Sequence, residues 1–234
     1  MTITTTTLTR TAGLAAVAAG ALFILIQFIH PSEDVASVAT TAWTVVHTVS
    51  ITMAVLALVG ITGTYLRQVE RAGILGLVGY VLFSTCFLVI AMFTFVEAYV
   101  LPLLTEQVPR FVEDVVAVPA GGTVVGDVGA LQTVSLVSFA TYLLGGLLFG
   151  IALYRAGQVH RWAAVTLAVG AVCPLLLAVL PHAPGRLAAV PVGIALIGLG
   201  HSTWRGTTRR GETAARRSAP SARRRRQLTA SSGR

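Results

Sequence analysis

Long apolar stretches recur along the chain and are separated by short polar segments. Six of them stand out, at about 11–29, 43–66, 73–101, 131–154, 162–181 and 187–204. Most are long enough for the ~20 residues that a helix needs to cross the hydrocarbon core of a bilayer. They lack the alternating pattern, about ten residues long, of membrane β-barrel strands. The pattern therefore predicts an all-α integral membrane bundle of six transmembrane helices.

The longest polar connection, 102–130, contains a segment with helical periodicity. In PRFVEDVVAV (109–118) the apolar side chains stand at 111, 112, 115 and 116. This spacing is typical of a short helix that lies on a surface. The glycine-rich AGGTVVGDVG (120–129) that follows predicts a flexible connection. Together the two segments predict a lid over one mouth of the bundle.

Glycines within the apolar stretches have the spacing of helix–helix contacts. Gly73, Gly76 and Gly79 recur every three residues, and Gly146 and Gly150 form a small-xxx-small pattern. Because glycine has no side chain, two helix backbones can approach closely at such positions in a membrane. We interpret them as contacts that hold the bundle together.

Arginine is distributed unevenly between the two sides of the predicted bundle. The N-terminus and segments 67–72, 155–161 and 205–234 together carry fifteen Arg and two acidic residues, a net charge of +13. The other side, counted with Glu97, carries two Arg and seven acidic residues, a net charge of −5, and the two values sum to the +8 of the chain. Since basic residues in short loops mark the cytoplasmic side, both termini are predicted to be cytoplasmic.

Composition argues for a membrane protein and against a nucleic-acid partner. The chain is 55% hydrophobic and only 11% charged, whereas a soluble domain carries roughly 25% charged residues. A charge of +8 in a soluble protein would suggest nucleic acid, but here the positive charge follows the predicted topology. All seventeen basic residues are Arg, which we take as the signature of a GC-rich bacterial genome. The predicted location is the bacterial plasma membrane.

The chain divides into a six-helix transmembrane domain, 1–204, and a tail, 205–234. The tail has ten Arg and almost nothing apolar, so it is predicted to be disordered and cytoplasmic. One interpretation is attraction to anionic lipids of the inner leaflet, worth about 1 kcal/mol per basic residue near the surface. The residues assigned to headgroup contact are Arg223, Arg224, Arg225 and Arg226. The other interpretation is a topology anchor followed by a solvated tail.

Four ionisable side chains are predicted at similar depth near the outer ends of four different helices. At 1.5 Å per residue from inner-side markers, His30 and His47 lie about 30 Å from the inner face. His182 lies at about 32 Å and Glu97 at about 38 Å, before any correction for helix tilt. We interpret these four residues as a candidate polar cluster at the outer face. Glu97, one turn before the Leu101-Pro102 exit, is also expected to mark the membrane boundary, where a carboxylate reaches water.

The chemistry of this cluster has two interpretations. Three imidazoles and a carboxylate suit zinc or another transition metal, and histidine also relays protons near neutral pH. However, no two of the four share an HxxxH or HExxH spacing, and separate polar residues also accumulate at membrane interfaces. A single haem on the outer side stays open. Two haems are disfavoured, because His160 lies in a loop and His201 lacks a partner at its depth.

No pattern of an enzyme active site is recognised. The chain has no GxSxG, P-loop or dinucleotide-binding motif, and Asp34, Asp114 and Asp127 lie outside the apolar stretches. No catalytic residue and no cofactor are assigned. The sequence favours a non-enzymatic membrane protein: a small transporter, a sensor or an accessory subunit. The alternative is an outer-face metal- or haem-binding membrane protein that uses His30, His47, His182 and Glu97.

Four stretches together resemble an uncharacterised family of small multi-pass membrane proteins of actinobacteria and related Gram-positive bacteria. They are HPSEDVASVATTAWTVVH, TYLRQVERAGILGLVGYVLF, VEAYVLPLL and LLGGLLFGIALYRAG. The similarity covers about 25–204 and omits the arginine-rich tail. The resemblance implies six helices and a bacterial plasma membrane, and it transfers no functional residue.

Overall fold

In the computed structural model of the protein, all regular structure of the described residues is helical. The structure describes residues 4–177 and 185–218, with the backbone alone at 120, 176, 177, 185 and 207–218. The elements are α1 Thr5–Ile29, α2 Val35–Val38, α3 Thr41–Leu66, α4 Val69–Tyr99, α5 Leu101–Leu104, α6 Pro109–Ala120, α7 Leu131–Ala156, α8 Arg161–Leu177, a 3-10 turn Gly185–Ala189, and α9 Val190–Ser218.

Five stretches of helix in the described part of the chain are long and apolar enough to cross a membrane. They are Thr5–Ile29, Thr41–Leu66, Val69–Leu104, Leu131–Ala156 and Arg186–Gly206. The apolar part of α8, Arg161–Leu175, is shorter, and the predicted span 162–181 extends beyond the described residues. The predicted all-α fold is therefore confirmed for the described residues, with five helices that could span a membrane, and the predicted sixth span stays a prediction.

The six long helices form a closed ring in chain order. Each packs on the next, α1 on α3, α3 on α4, α4 on α7, α7 on α8 and α8 on α9, and α9 returns to α1. Neighbouring helices are antiparallel. In α1 and α9, for example, Gly13 faces Gly200 while Gly20 faces Gly193. One end of the ring carries α2, α5 and α6, and we call it the cap end. The other, which we call the arginine end, carries the start of α1 and the turns at 67–68 and 157–160.

Glycine contacts hold α4 against α7, although not all at the predicted positions. Gly79 packs on the backbone of Phe149, and Gly145 packs on the backbone of Phe83. The prediction for Gly73 was wrong: a side chain there would meet nothing within 4 Å, and its φ of 61° and ψ of −166° interrupt the helix. Glycine is required there because other residues rarely adopt a positive φ. The periodic spacing thus included one glycine that shapes the backbone.

Helix boundaries depart from the predicted ones mainly at the arginine end. α4 begins at Val69, four residues before the predicted start at 73, and α9 continues to Ser218, beyond the predicted end of the membrane domain at 204. Residues 219–234, with Arg223, Arg224, Arg225 and Arg226, lie outside the described residues. Disorder of the tail and its headgroup contacts stay predictions.

The cap end has a hydrophobic core of its own, separate from that of the bundle. The buried members of this core, which we call the cap core, are Val38, Trp43, Leu101, Val112, Val115, Val116, Val118 and Val128. The short helix predicted at 109–118 is confirmed as α6. Its valines at 112, 115 and 116 are buried, whereas Phe111 stays 36% exposed.

A buried carboxylate in α6 ties down part of the glycine-rich connection. Asp114 is 8% exposed, and its Oδ1 and Oδ2 accept hydrogen bonds from the backbone N–H groups of Val125 and Gly126, each at 2.9 Å. Charge-assisted hydrogen bonds of this kind are stronger than neutral ones. The connection, predicted to be flexible, is therefore anchored to the cap in its middle.

Candidate functional site

Trp43 is the residue around which the candidate site is built. It lies in the first turn of α3, where Thr40 caps the helix by accepting a hydrogen bond from the Trp43 N–H. Its side chain is fully buried, and its Nε1–H donates to the backbone carbonyl of Glu97 at 2.8 Å. A buried indole N–H needs such a partner. The bond joins α3 to α4 at the cap end.

His47 lies one helical turn after Trp43 and is 2% exposed. Its ring stacks on the Trp43 ring with 4.0 Å between centroids, and its Nδ1 is 2.8 Å from the Trp43 carbonyl oxygen. Because a carbonyl oxygen only accepts, Nδ1 carries the hydrogen and donates it. The other ring nitrogen, Nε2, therefore faces Glu97 as a lone pair whenever the ring is neutral.

Glu97 comes closest to His47 through its Oε2, which is 3.7 Å from His47 Nε2. That separation is longer than a hydrogen bond. The expectation that Glu97 reaches water at the membrane boundary was wrong, since the residue is only 8% exposed. Depth counting along one helix could not show that the cap and the neighbouring helices cover it.

A small cavity lies beside Glu97, bordered by residues of α4, α6 and α7. Its volume is about 190 Å³, and its walls are mostly apolar. Among its lining residues, Thr94 and Ser138 bring hydroxyl groups, and Pro119 of α6 borders it from the cap. Glu97 thus stands between the histidine side of the site and this cavity.

His30 brings the end of α1 to the same site. Its Nδ1–H donates to the Pro31 carbonyl at 2.8 Å, and its ring meets the His47 ring edge-on with 5.0 Å between centroids. Burial lowers the pKa of His30, and the positive charge of Arg186 acts in the same direction. His30 is therefore held towards its neutral form.

An ion pair borders the site on its more exposed side. Arg186 of the 3-10 turn donates a hydrogen bond to the Glu33 carboxylate, and both side chains are about one third exposed. The negative charge of Glu33 raises the pKa of His30, but less than burial lowers it. The contacts therefore run from the ion pair to His30, from His30 to His47, from His47 to Glu97, and from Glu97 to the cavity.

The structure thus brings together three of the four residues of the predicted polar cluster. His30, His47 and Glu97 meet at the cap end, while His182 lies outside the described residues. Within 4–177 and 185–218, no group of three His, Cys, Asp or Glu side chains is arranged to hold a metal ion. At the arginine end, His160 and His201 lie with 5.9 Å between ring centroids, although the sequence predicted no partner for His201 at its depth.

Sequence reasoning missed Trp43, the residue that organises the site. Its signal was available, because Trp43 and His47 are four residues apart in a predicted helix and so share one face. The contribution of Thr94, Ser138 and Pro119 had no such signal. These three come from different elements, and only the packing of α4, α6 and α7 places them around Glu97.

Comparisons with known proteins assign no relative. No protein-family model matches the chain, and no curated protein and no solved structure is found to be similar to it. The chemistry of the site therefore rests on its own geometry.

Proposed function

We propose that the chain is a non-enzymatic, bacterial plasma-membrane protein of the sensor class, which binds a proton at its outer face through His47 and Glu97. In this proposal it has six membrane spans, with α8 and the residues after it as the fifth, and both termini are cytoplasmic. The antiparallel ring and the arginine distribution support this topology. We retain the proposal that it belongs with the uncharacterised six-helix family.

A single observation carries the proton-binding proposal: His47 Nε2 and Glu97 Oε2 face each other at 3.7 Å inside the protein. With one proton between them the pair is neutral overall, whether the proton sits on the imidazole or on the carboxyl group. Without that proton the pair has a net charge of −1, and with a second proton a net charge of +1. A buried net charge is costly, so the one-proton form is favoured.

The surroundings of the pair offer no buried cation to compensate a lone Glu97 carboxylate. Among the described side chains nearby, His30 is held neutral by burial, and Arg186 is already paired with Glu33. The other described neighbours include Trp43, the neutral hydroxyl group of Thr94 and the mainly apolar cavity wall. A change in the number of protons at the pair must therefore change the packing of the cap, and this change in packing would be the signal of a sensor.

The pH dependence of the folding stability tests how many protons the His47–Glu97 pair holds. In the unfolded chain, histidine titrates near pH 6.5 and glutamate near 4.3, so above about pH 6.5 this pair holds no proton. The folded pair keeps one, and stability should fall as pH rises above about 6.5, by up to about 1.4 kcal/mol per pH unit. In Glu97→Gln the folded site holds no titrating proton, so this fall should disappear. The measurement is the free energy of unfolding of purified protein between pH 5 and 9.

An exposed carboxylate provides the matched control for that experiment. Glu106 is exposed in the loop between α5 and α6, and Glu106→Gln should keep the wild-type slope. His30 contributes equally in all three proteins: because its folded pKa is lowered, the stability it supports is lost as pH falls below about 6.5. Equal slopes above pH 6.5 in wild type and Glu97→Gln would contradict the proposal.

The topology predicts which engineered cysteines react from outside the cell. In a background with Cys86→Ala and Cys173→Ala, a cysteine at 122 in the cap connection should be labelled in intact cells by a membrane-impermeant maleimide. A cysteine at 215 in α9 should be labelled only after permeabilisation. Labelling at 215 in intact cells would overturn the cytoplasmic assignment of the C-terminus.

The metal or haem alternative needs His182 and stays a prediction. One observation favours it: His30 and His47 both donate their Nδ1–H to backbone carbonyls, the arrangement that orients Nε2 of metal-ligating histidines. Metal analysis and an absorption spectrum of the purified protein decide between the two functions. Stoichiometric metal, or a Soret band that is lost in His47→Ala, would contradict the proton-binding proposal and support the metal or haem alternative.

A further inference from the structure

A crevice opens at the arginine end between the start of α1 and the α3–α4 turn. It has a volume of about 440 Å³ and is lined by Thr5, Arg67, Gln68 and Glu70, among others. An apolar groove of about 420 Å³ lies between α1 and α3, with Leu58 and Val59 in its wall. The crevice and the groove share Leu8, Thr9 and Leu66. The crevice, which we call the polar chamber after its lining residues Arg67, Gln68 and Glu70, thus adjoins the apolar groove.

Gln68, which lines the polar chamber, has a buried side-chain oxygen that lacks a donor. Gln68 is 1% exposed; its Nε2 donates to the Thr64 carbonyl at 3.3 Å, while its Oε1 has no hydrogen-bond partner. A buried unsatisfied oxygen costs about 1–3 kcal/mol. A group that brings a hydroxyl or another donor into the chamber would remove this cost.

The chamber is lined by one arginine, Arg67, and one glutamate, Glu70, and it lies at the arginine-rich end of the bundle. Arg67 forms part of its wall and is fixed there by hydrogen bonds from Nη1 to the carbonyls of Ser202 and Thr203, at 2.6 and 3.2 Å. On its other side, Arg67 lines a further crevice together with His160 and Arg205. In 4–206 the helix ends and turns at this end carry six arginines and one glutamate. The chamber therefore suits an anionic group.

The apolar groove favours a lipid over a free anion as the ligand. Leu8, Val59 and Leu66 are 58%, 47% and 62% exposed along it, and its floor is formed where Gly63 meets Ala12. A free phosphate would occupy the polar chamber and leave the groove empty. An acyl chain fills the groove while its headgroup stays in the chamber, because Leu8, Thr9 and Leu66 line both spaces and place them next to each other.

We infer that this crevice and groove form a binding site for an anionic phospholipid with a hydroxylated headgroup, such as phosphatidylglycerol. The phosphodiester lies in the positive field of Arg67, a headgroup hydroxyl donates to Gln68 Oε1, and one acyl chain follows the groove past Val59. The site is formed by the folded bundle and does not require the arginine-rich tail.

Lipid titrations of the full chain in detergent test the inference. Phosphatidylglycerol should bind and raise the melting temperature, and phosphatidylcholine, which has no hydroxyl and no net charge, should bind at least about ten-fold more weakly. Soluble glycerol phosphate should not raise the melting temperature. Equal effects of both lipids would overturn the inference, and so would stabilisation by glycerol phosphate alone, which would indicate a simple phosphate site.

Two variants with a matched control locate the site. Val59→Trp fills the groove and should weaken phosphatidylglycerol binding by about ten-fold. Val55→Trp is the control, because Val55 is 50% exposed one turn away on the same helix and does not line the groove. Gln68→Met removes the orphan acceptor and should reduce the preference for the hydroxylated headgroup. Equal binding by the Val55 and Val59 variants would overturn the placement of the acyl chain.

Discussion

Replacing Gly145 by leucine is expected to destabilise the bundle by at least about 3 kcal/mol, at the upper end of the cost of overpacking. A side chain on Gly145 would enter the backbone of α4, since its Cβ would lie 2.7 Å from the Cα of Phe83. Gly79 makes the reciprocal contact, since a Cβ added there would lie 2.7 Å from the Cα of Phe149. Backbone cannot move aside as a flexible side chain does. The two helices must therefore separate over their whole contact.

Unfolding of purified protein by sodium dodecyl sulfate measures this effect. Leu144→Ile is the matched control, because Leu144 is the adjacent residue and is 47% exposed on the outside of the ring. Its free energy of unfolding should stay within about 0.5 kcal/mol of wild type. A Gly145→Leu protein as stable as this control would show that α4 and α7 do not cross as closely as described.

Trp43→Ala is expected to cost about 3–5 kcal/mol, the range for truncating a buried large aromatic side chain. Its ring fills the centre of the cap core and stacks on His47, and its Nε1–H ties α3 to the Glu97 carbonyl. Removing it leaves a cavity beside the valines of α6 and takes away the ring that stacks on His47. Besides the loss of stability, hydrogen exchange of the α6 backbone should therefore accelerate.

Trp43→Phe separates packing from hydrogen bonding. It keeps an aromatic ring in the cap core but loses the indole N–H, so the expected cost is about 1–3 kcal/mol. Hydrogen exchange in α6 should change little in this variant. If Trp43→Phe and Trp43→Ala lowered the free energy of unfolding equally, the hydrogen bond alone would stabilise the cap. The volume of the Trp43 ring would then contribute nothing.

Three ionisable members of the candidate site were predicted from the sequence, but Trp43, the residues around the cavity and the arrangement of the site were not. His30, His47 and Glu97 were found by counting depth along separate helices, and depth along an axis is fixed by the 1.5 Å rise per residue. Their facing directions depend on how α1, α3 and α4 rotate against one another, and a count of residues does not contain that information. In the structure, the hydrogen bond from Trp43 to the backbone carbonyl of Glu97 fixes the rotation of α3 relative to α4.

The burial of Glu97 was predicted wrongly for the same reason, because it depends on packing between distant segments. In the sequence it stands one turn before a proline at the end of a long apolar stretch, a position typical of the membrane boundary. In the structure α5 and α6 fold back at this end, and the burial of Val112, Val115 and Val116 creates a second core. Residues distant in sequence, such as Pro119, therefore surround the carboxylate.

The sequence by itself determined the class of the molecule: apolar stretches long enough to span a bilayer, divided by short polar turns, with arginine on one side. These properties follow from the composition of each segment, since a helix in lipid must satisfy its backbone internally and present apolar side chains. Only the tertiary structure decided that the ring closes from α9 to α1, that Gly145 is a contact and Gly73 a helix break, and that His47 faces Glu97. Each of these depends on the relative rotation of two helices, which is set by packing between residues far apart in the chain.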